Sequence, residues 1–292
     1  MFVCFTRLTK CPFFTPQKQN NIDRFASEMD KFQVIYPSIL LTPYVKQYWF
    51  LTLEDVMQGA QRYIPNGCII LTFQRGGQIE SSLSGQQTSF SNIVYSGNID
   101  FISIVFQPTG AMGIFKMPMV ELNNQNIPLD TLNDPQILEL EKRIKETSDN
   151  KRSVQLIENF LLKRIYQTEQ YNYKRLLTVI DSISLGQYDV SLLAQIACLG
   201  YKQFKRVFAE HIGINPKDFI RIKRYQKAAH ILQIVPQISL TQLAEECAYY
   251  DKSHLIREFK EFSGYTPKDF LSVCDPYSEY HSLFRSAMID IK

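Results

Sequence analysis

Two spacings of apolar residues divide this chain. Between about Gln33 and Leu129 the apolar positions come in short runs, among them VKQYWFLTL, GCIILTF, SNIVYSG and DFISIVFQP. They are rich in β-branched and aromatic residues, the composition of strands. Pro65-Asn66-Gly67, Arg75-Gly76-Gly77 and Pro108-Thr109-Gly110 punctuate them as turns. Antiparallel strands in a small barrel or sandwich are predicted. Beyond that the spacing lengthens to three and four residues. A helix is predicted over 135–147, carrying Ile137, Leu138, Leu140 and Ile144. A second is predicted over 153–166, with Val154, Ile157, Phe160, Leu161 and Ile165 in one stripe. That stripe fits either packing on the sheet or a partner helix across a dimer.

The fold class expected is therefore α+β in two domains: an N-terminal antiparallel β barrel or sandwich with trailing helices, then an all-α region. Residues 1–28, including the polar QKQNNIDR, lack periodicity and are expected to be a disordered extension, with Met29 opening the fold. The β-rich domain is assigned to 29–166, the polar QTEQYN at 167–172 to a linker, and 173–271 to the helical domain. Residues 272–292 form a tail of unreadable role.

The helical region contains one pattern written twice, LAQIACLGYKQFKRVFAEHIGINPKDFI from Leu193 and LAEECAYYDKSHLIREFKEFSGYTPKDFL from Leu243. Arg206 and Arg257, Phe208 and Phe259, Gly213 and Gly264, and Pro216 and Pro267 all stand 51 residues apart. Each copy reads as a helix-turn-helix. Ser239 and Gln242 make a capping box, and Asp189 and Asp251 are good N-caps. Gly213 and Gly264 stop the second helices, and Asn215-Pro216 and Thr266-Pro267 restart the chain. Leu193, Phe204, Phe208, Leu243, Leu255 and Phe259 point inward.

Outward on the second helix of the first copy lie Lys202, Lys205 and Arg206, spaced to share one face. Lys252, Ser253, Ile256 and Arg257 lie outward in the second copy. Long cations there suit the DNA major groove, where Arg or Lys reaches guanine O6 and N7 and an aliphatic group touches a thymine methyl. A merely solvated face is the plain alternative, and finding it twice with matched turns argues against it.

The tandem resembles the DNA-binding region of the AraC family of bacterial transcription regulators, over about 173–271 and most closely in SHLIREFKEFSGYTPKDFL. The resemblance implies two units either side of one connecting helix, here 219–233, reading successive major-groove segments of double-stranded operator DNA. The base-reading positions it implies are Lys202, Lys205, Arg206, Lys252, Ser253, Ile256 and Arg257. Gly200 stands where the first unit usually has a Ser cap, and Ala248 where the second usually has Gly. The order YVKQYWF, IPNGCIILTF, FQPTGAMGIF resembles the N-terminal domain of one branch of the family, which implies a sensor or a dimerisation module.

Composition narrows the picture. The net charge of +3 is unevenly placed, with 14 Lys and Arg against 10 Asp and Glu from Tyr171 to Leu271, and 18 against 19 elsewhere. Phosphate contacts favour such an excess. The six cysteines form no C-x-x-C and none has a His at zinc-ligand spacing, so no metal, cofactor or disulfide framework is expected. Cys198 and Cys247 read as small core residues. No apolar run approaches membrane-spanning length, and the first residues lack a cleavage site, so a cytoplasmic protein without membrane contact is expected. Catalytic motifs are absent and residues 1–170 contain no His, the usual general base, so no enzyme and no catalytic residue is expected.

Clustered aromatics near Trp49, with Arg62 and Arg75, fit either core or a ligand pocket; Trp49 and Arg62 are the pocket candidates. The function expected is a sequence-specific regulator whose N-terminal domain takes a small-molecule effector. The alternative is a DNA-binding protein whose first domain only forms a homodimer or contacts another protein such as RNA polymerase.

Overall fold

The computed structural model describes residues 32–77, 80–165 and 171–273. The expected N-terminal extension, most of the expected linker and most of the tail lie outside them. Six strands, β1 (Phe32–Ile35), β2 (Val45–Tyr63), β3 (Ile70–Gly77), β4 (Ser82–Ser84), β5 (Ser91–Phe106) and β6 (Asn126–Pro128), form one sheet in the order β1-β2-β5-β3-β4-β6. Every pairing is antiparallel, as expected. The barrel alternative is corrected: β1 and β6 are edges, so the sheet is open and sandwich-like. The outer strands β1, β4 and β6 are only three or four residues long, too short to close a ring. The long β2–β5 ribbon loses regular register between Leu53 and Val56 and again before Gly59, irregularities that bend a strand pair.

Alternation gives the sheet two faces. On one, Tyr48, Phe50, Leu71, Phe73, Ile102, Ile104 and Phe106 are buried in the main core of the β-rich region. On the other lie Trp49, Ile70 and Val105, joined by Cys68. The helices α1 (Met112–Phe115), α2 (Pro135–Lys145) and α3 (Asn150–Ile165) cover the first face. Ile137, Leu140 and Ile144 of α2, and Leu156, Ile157, Leu161 and Ile165 of α3, enter that core. The stripe on α3 thus packs on the sheet, which decides between the two uses it permitted. Arg75 ties the layers, donating to Asp100 Oδ1 at 2.7 Å and to Asn150 Oδ1 at 2.7 Å. Arg164 does the same from α3 to Asp134, the N-cap of α2, at 2.6 Å.

Among the described residues seven helices follow: α4 (Tyr171–Ser184), α5 (Val190–Ile196), α6 (Tyr201–Ile212), α7 (Pro216–Ile234), α8 (Leu240–Glu246), α9 (Lys252–Ser263) and α10 (Pro267–Val273). Their shared core includes Leu193, Phe204, Phe208, Phe219, Leu243, Leu255, Phe259 and Phe262. Phe204, Phe208 and Phe219 meet edge to face with centroids 5.6 Å apart at each step, a favoured aromatic arrangement.

One member of this helical core comes from the sheet region. Ile64, just past β2, is 8% exposed and buried among the helical side chains. The turn after it reaches the same helices. Gln226 Nε2 of α7 donates to Pro65 O at 3.4 Å, and Phe219 and Ile222 stand against Gly67. Tyr173 of α4 stacks on Tyr44 and donates to Pro43 O at 2.8 Å.

Candidate nucleic-acid interface

Each unit of the repeat is set by local capping. The Asp189 carboxylate accepts from Ser191 N and Leu192 N, and Ser239 and Gln242 form the reciprocal capping box. The Asp251 carboxylate accepts from His254 N at 2.7 Å to open α9. Gly200 opens α6 with no side-chain cap at all. Both α6 and α9 end at a glycine in the left-handed region, Gly213 at φ 98° and Gly264 at φ 74°. A residue with a Cβ would be strained there. Asn215 and Thr266 then accept from Asp218 N and Asp269 N, each at 3.1 Å, restarting the chain behind the turn.

The turns inside the two units also match. Cys198 at φ 52° and Ala248 at φ 55° both bend the chain through the left-handed region without being glycine. Cys198 is exposed there, which corrects the expectation that it is core; of these two cysteines, Cys247 is the buried one. Burial pushes the Cys247 thiol up to about 11.

Helices α6 and α9 turn cations outward. Lys202, Lys205 and Arg206 are exposed on α6, and Lys252, Ser253 and Arg257 on α9. Ile256 is half-buried. None of the ion pairs among the described residues involves these five cations. Lys205 Nζ does lie 5.8 Å from the Tyr201 ring, itself 45% exposed, which puts an aromatic face beside the first cationic group.

The cations of the connecting helix α7 are used differently. Arg221 Nε contacts Glu258 Oε1 at 2.7 Å and its Nη2 contacts Glu261 at 2.6 Å. Arg224 Nη2 reaches the other oxygen of Glu258 at 3.2 Å. Burial alone would raise the Glu258 carboxyl, but the two guanidinium groups outweigh it and hold the carboxyl below its ordinary value. Lys227 Nζ donates to Glu246 O at 2.6 Å, satisfying the last turn of α8. The number of cations in the helical region therefore overstates what faces outward, because α7 spends its arginines on Glu258 and Glu261. Sequence reasoning missed Glu258. Its position on α9, one before Phe259, is inward by helical spacing, and a carboxylate there signals a buried pair.

Trp49 and Arg62 share no partner. Trp49 is 7% exposed and packs with Cys68, Ile70 and Val105. The Arg62 guanidinium lies over the rings of Phe90 at 4.6 Å and Tyr265 at 4.2 Å, and Nη1 donates to Ser263 O at 2.9 Å. Among the described residues no cluster of three or more His, Cys, Asp or Glu is arranged to hold a metal.

Comparison with known proteins finds two separate family matches along the chain. Residues 33–128 match a family described as a domain of unknown function, DUF6597. Residues 193–272 match a family described as a helix-turn-helix domain. An uncharacterized HTH-type transcriptional regulator of Haemophilus influenzae is 30% identical over 100 residues, 33% of this chain and 33% of that protein. The chain thus matches a third of that relative's length. The probable transcriptional regulator LumQ of Photobacterium leiognathi is 24% identical over 204 residues, 67% of this chain and 76% of its own. A crystal structure of ToxT from Vibrio cholerae O395 bound to (E)-4-(8-methylnaphthalen-1-yl)but-3-enoic acid aligns over 76% of this chain and 98% of that one, with 12% identity and a TM-score of 0.42. That score is below what establishes a shared fold. No helix of the described residues is long and apolar enough to cross a membrane.

Proposed function

Because the chain carries an AraC-type helix-turn-helix domain, we propose that it is a sequence-specific DNA-binding transcription regulator. One observation carries the reading. Arg206 and Arg257 occupy matched positions of a structural repeat, both exposed, with no carboxylate partner among the described residues. In this reading each contacts a base edge in the major groove. Lys202, Lys205, Lys252, Ser253 and Ile256 complete the two reading faces. In vitro selection of duplexes followed by footprinting tests this. Two half-motifs roughly 10 base pairs apart, centre to centre, are expected, and they differ from each other because the reading residues differ. A single short palindrome filled by one protomer would sink the tandem reading.

Control by a small-molecule effector in the sheet domain has its own support. Gln47 is fully buried, and neither end of its amide has a hydrogen-bond partner in the protein. Trp49, two residues along β2 and so on the same face, has an indole N–H in the same condition. Buried polar groups are almost always satisfied, and a small polar molecule on this face would satisfy them. A ligand of the native state raises the melting temperature. A metabolite screen by thermal shift should find a compound that does so for the whole chain and not for Trp49→Phe or Gln47→Leu. If no compound shifts the wild type, the sheet domain serves instead as a homodimer or RNA polymerase contact.

A further inference from the structure

A helix leaves its last carbonyl groups without an intrahelical partner. The last residues of the two reading helices, Ile212 of α6 and Ser263 of α9, stand at matched positions of the repeat. Both of their carbonyl groups are taken by side chains from the sheet region. Gln86, 1% exposed, donates from Nε2 to Ile212 O at 2.9 Å and to Gly67 O at 3.0 Å. Arg62 donates from Nη1 to Ser263 O at 2.9 Å and from Nε to Asn92 Oδ1 at 3.2 Å. A side chain at either glycine that follows would be strained by its positive φ and crowd the grip. A Cβ on Gly264 would stand 2.5 Å from Arg62 Nη1, and one on Gly213 would stand 3.2 Å from Gln86 Cγ. The two contacts are built alike in position and differently in chemistry, one a neutral amide and the other a cation held between two rings.

We propose that Arg62 and Gln86 are positioning residues for DNA reading, and that by gripping the ends of both reading helices they fix the half-motif spacing the protein accepts. This rests on α6 and α9 being the base-reading helices. The connecting helix α7 joins the two units. Two further grips from a single sheet close that arrangement into a frame, with Gln226 to Pro65 between them. Such helices contact bases through their N-terminal residues, so grips at the C-terminal ends leave the reading faces clear. Neither Arg62 nor Gln86 then needs to touch DNA to govern which DNA is accepted.

The experiment measures whole-chain affinity for three duplexes: the selected site, and the same two half-motifs moved apart or together by one base pair. Wild type is expected to lose about tenfold on each altered spacing, as a misplaced contact costs about as much as a mismatch. The Arg62→Ala/Gln86→Ala variant should lose less than about threefold, while a base change inside either half-motif costs it what it costs wild type. Arg62→Lys keeps a cationic donor and should retain more of the spacing preference than Arg62→Ala does. Circular dichroism and melting confirm that each variant is folded. Should the double variant fold poorly, Arg62→Ala alone, at a half-exposed residue, carries the same comparison. A folded variant that keeps the wild-type spacing preference overturns the positioning role. Wild type that selects no DNA at all overturns the base-reading premise instead, so the two failures are distinct.

Discussion

Nε of Arg221 lies 2.7 Å from Oε1 of Glu258, 37 residues further along the chain, and the contact joins two helices. The carboxylate is 4% exposed and the guanidinium 30%, so the pair sits at the edge of the core. Arg224 takes the other oxygen, and His254 Nε2 lies 3.3 Å from the first. This cluster locks the connecting helix α7 to the second reading helix α9.

Glu258→Gln should therefore destabilise the helical domain by about 2–3 kcal/mol, since the two arginines lose their buried counter-charge. The pH dependence follows with a definite sign. The folded carboxyl titrates below its ordinary value of 4.5, so its contribution is complete above pH 4.5 and fades as pH falls through the folded value. Urea denaturation at a series of pH values should show wild type and variant converging on the acid side. A gap that stayed constant down to pH 3 would contradict the assignment.

Ala248→Gly should stabilise the protein by about 0.5–1 kcal/mol, because glycine adopts a positive φ without a Cβ penalty. Ala248 has φ 55° and its side chain is exposed, so no packing is lost. The check is a rise in melting temperature. A fall would mean that the greater freedom of the unfolded glycine chain outweighs the strain.

Arg206→Ala and Arg257→Ala should each cost about 1–3 kcal/mol of specific binding and relax preference at one position of the site. Lys227→Ala should leave base preference untouched, because its ammonium is spent on Glu246 O. Fluorescence anisotropy on the selected duplex and on single-base variants separates these outcomes. Full affinity in both arginine variants would show that the wrong face had been chosen.

Ile64→Ala should cost about 2–4 kcal/mol, the range for emptying a buried aliphatic site. The loss should appear in the unfolding of the helical region, although Ile64 lies next to β2. Hydrogen exchange read at α6 and α7 would locate it. Faster exchange confined to the sheet would refute the shared core.

Much of the helical region was legible. Caps, left-handed glycines and restarts act over four residues, so Asp251, Gly264 and Thr266 declared themselves in the sequence. The strands were legible as short β-branched and aromatic runs between turns, but closure was not: whether a sheet closes depends on how its edge strands meet, and no local pattern encodes that. Arg206 was legible as outward from its helix face, but the internal use of Arg221 was hidden. Both are arginines on helices, and only the partner across space, Glu258, distinguishes one turned outward from one held within. Arg62 was noticed for its neighbours in sequence, but its actual partners are Phe90, Tyr265 and Ser263, the last 201 residues away.

The turn after β2 bears on how freely halves of such proteins can be exchanged. The family boundaries suggest interchangeable parts cut between residues 128 and 193. In this chain Phe219 and Ile222 lie against Gly67, and Ile64 fills the space among them. A chimera that grafts the helical half onto a foreign sensor would leave that apolar patch bare and should aggregate unless the donor supplies an equivalent of residues 64–67. The module that can be transplanted is therefore discontinuous, a helical domain together with one short turn borrowed from its neighbour.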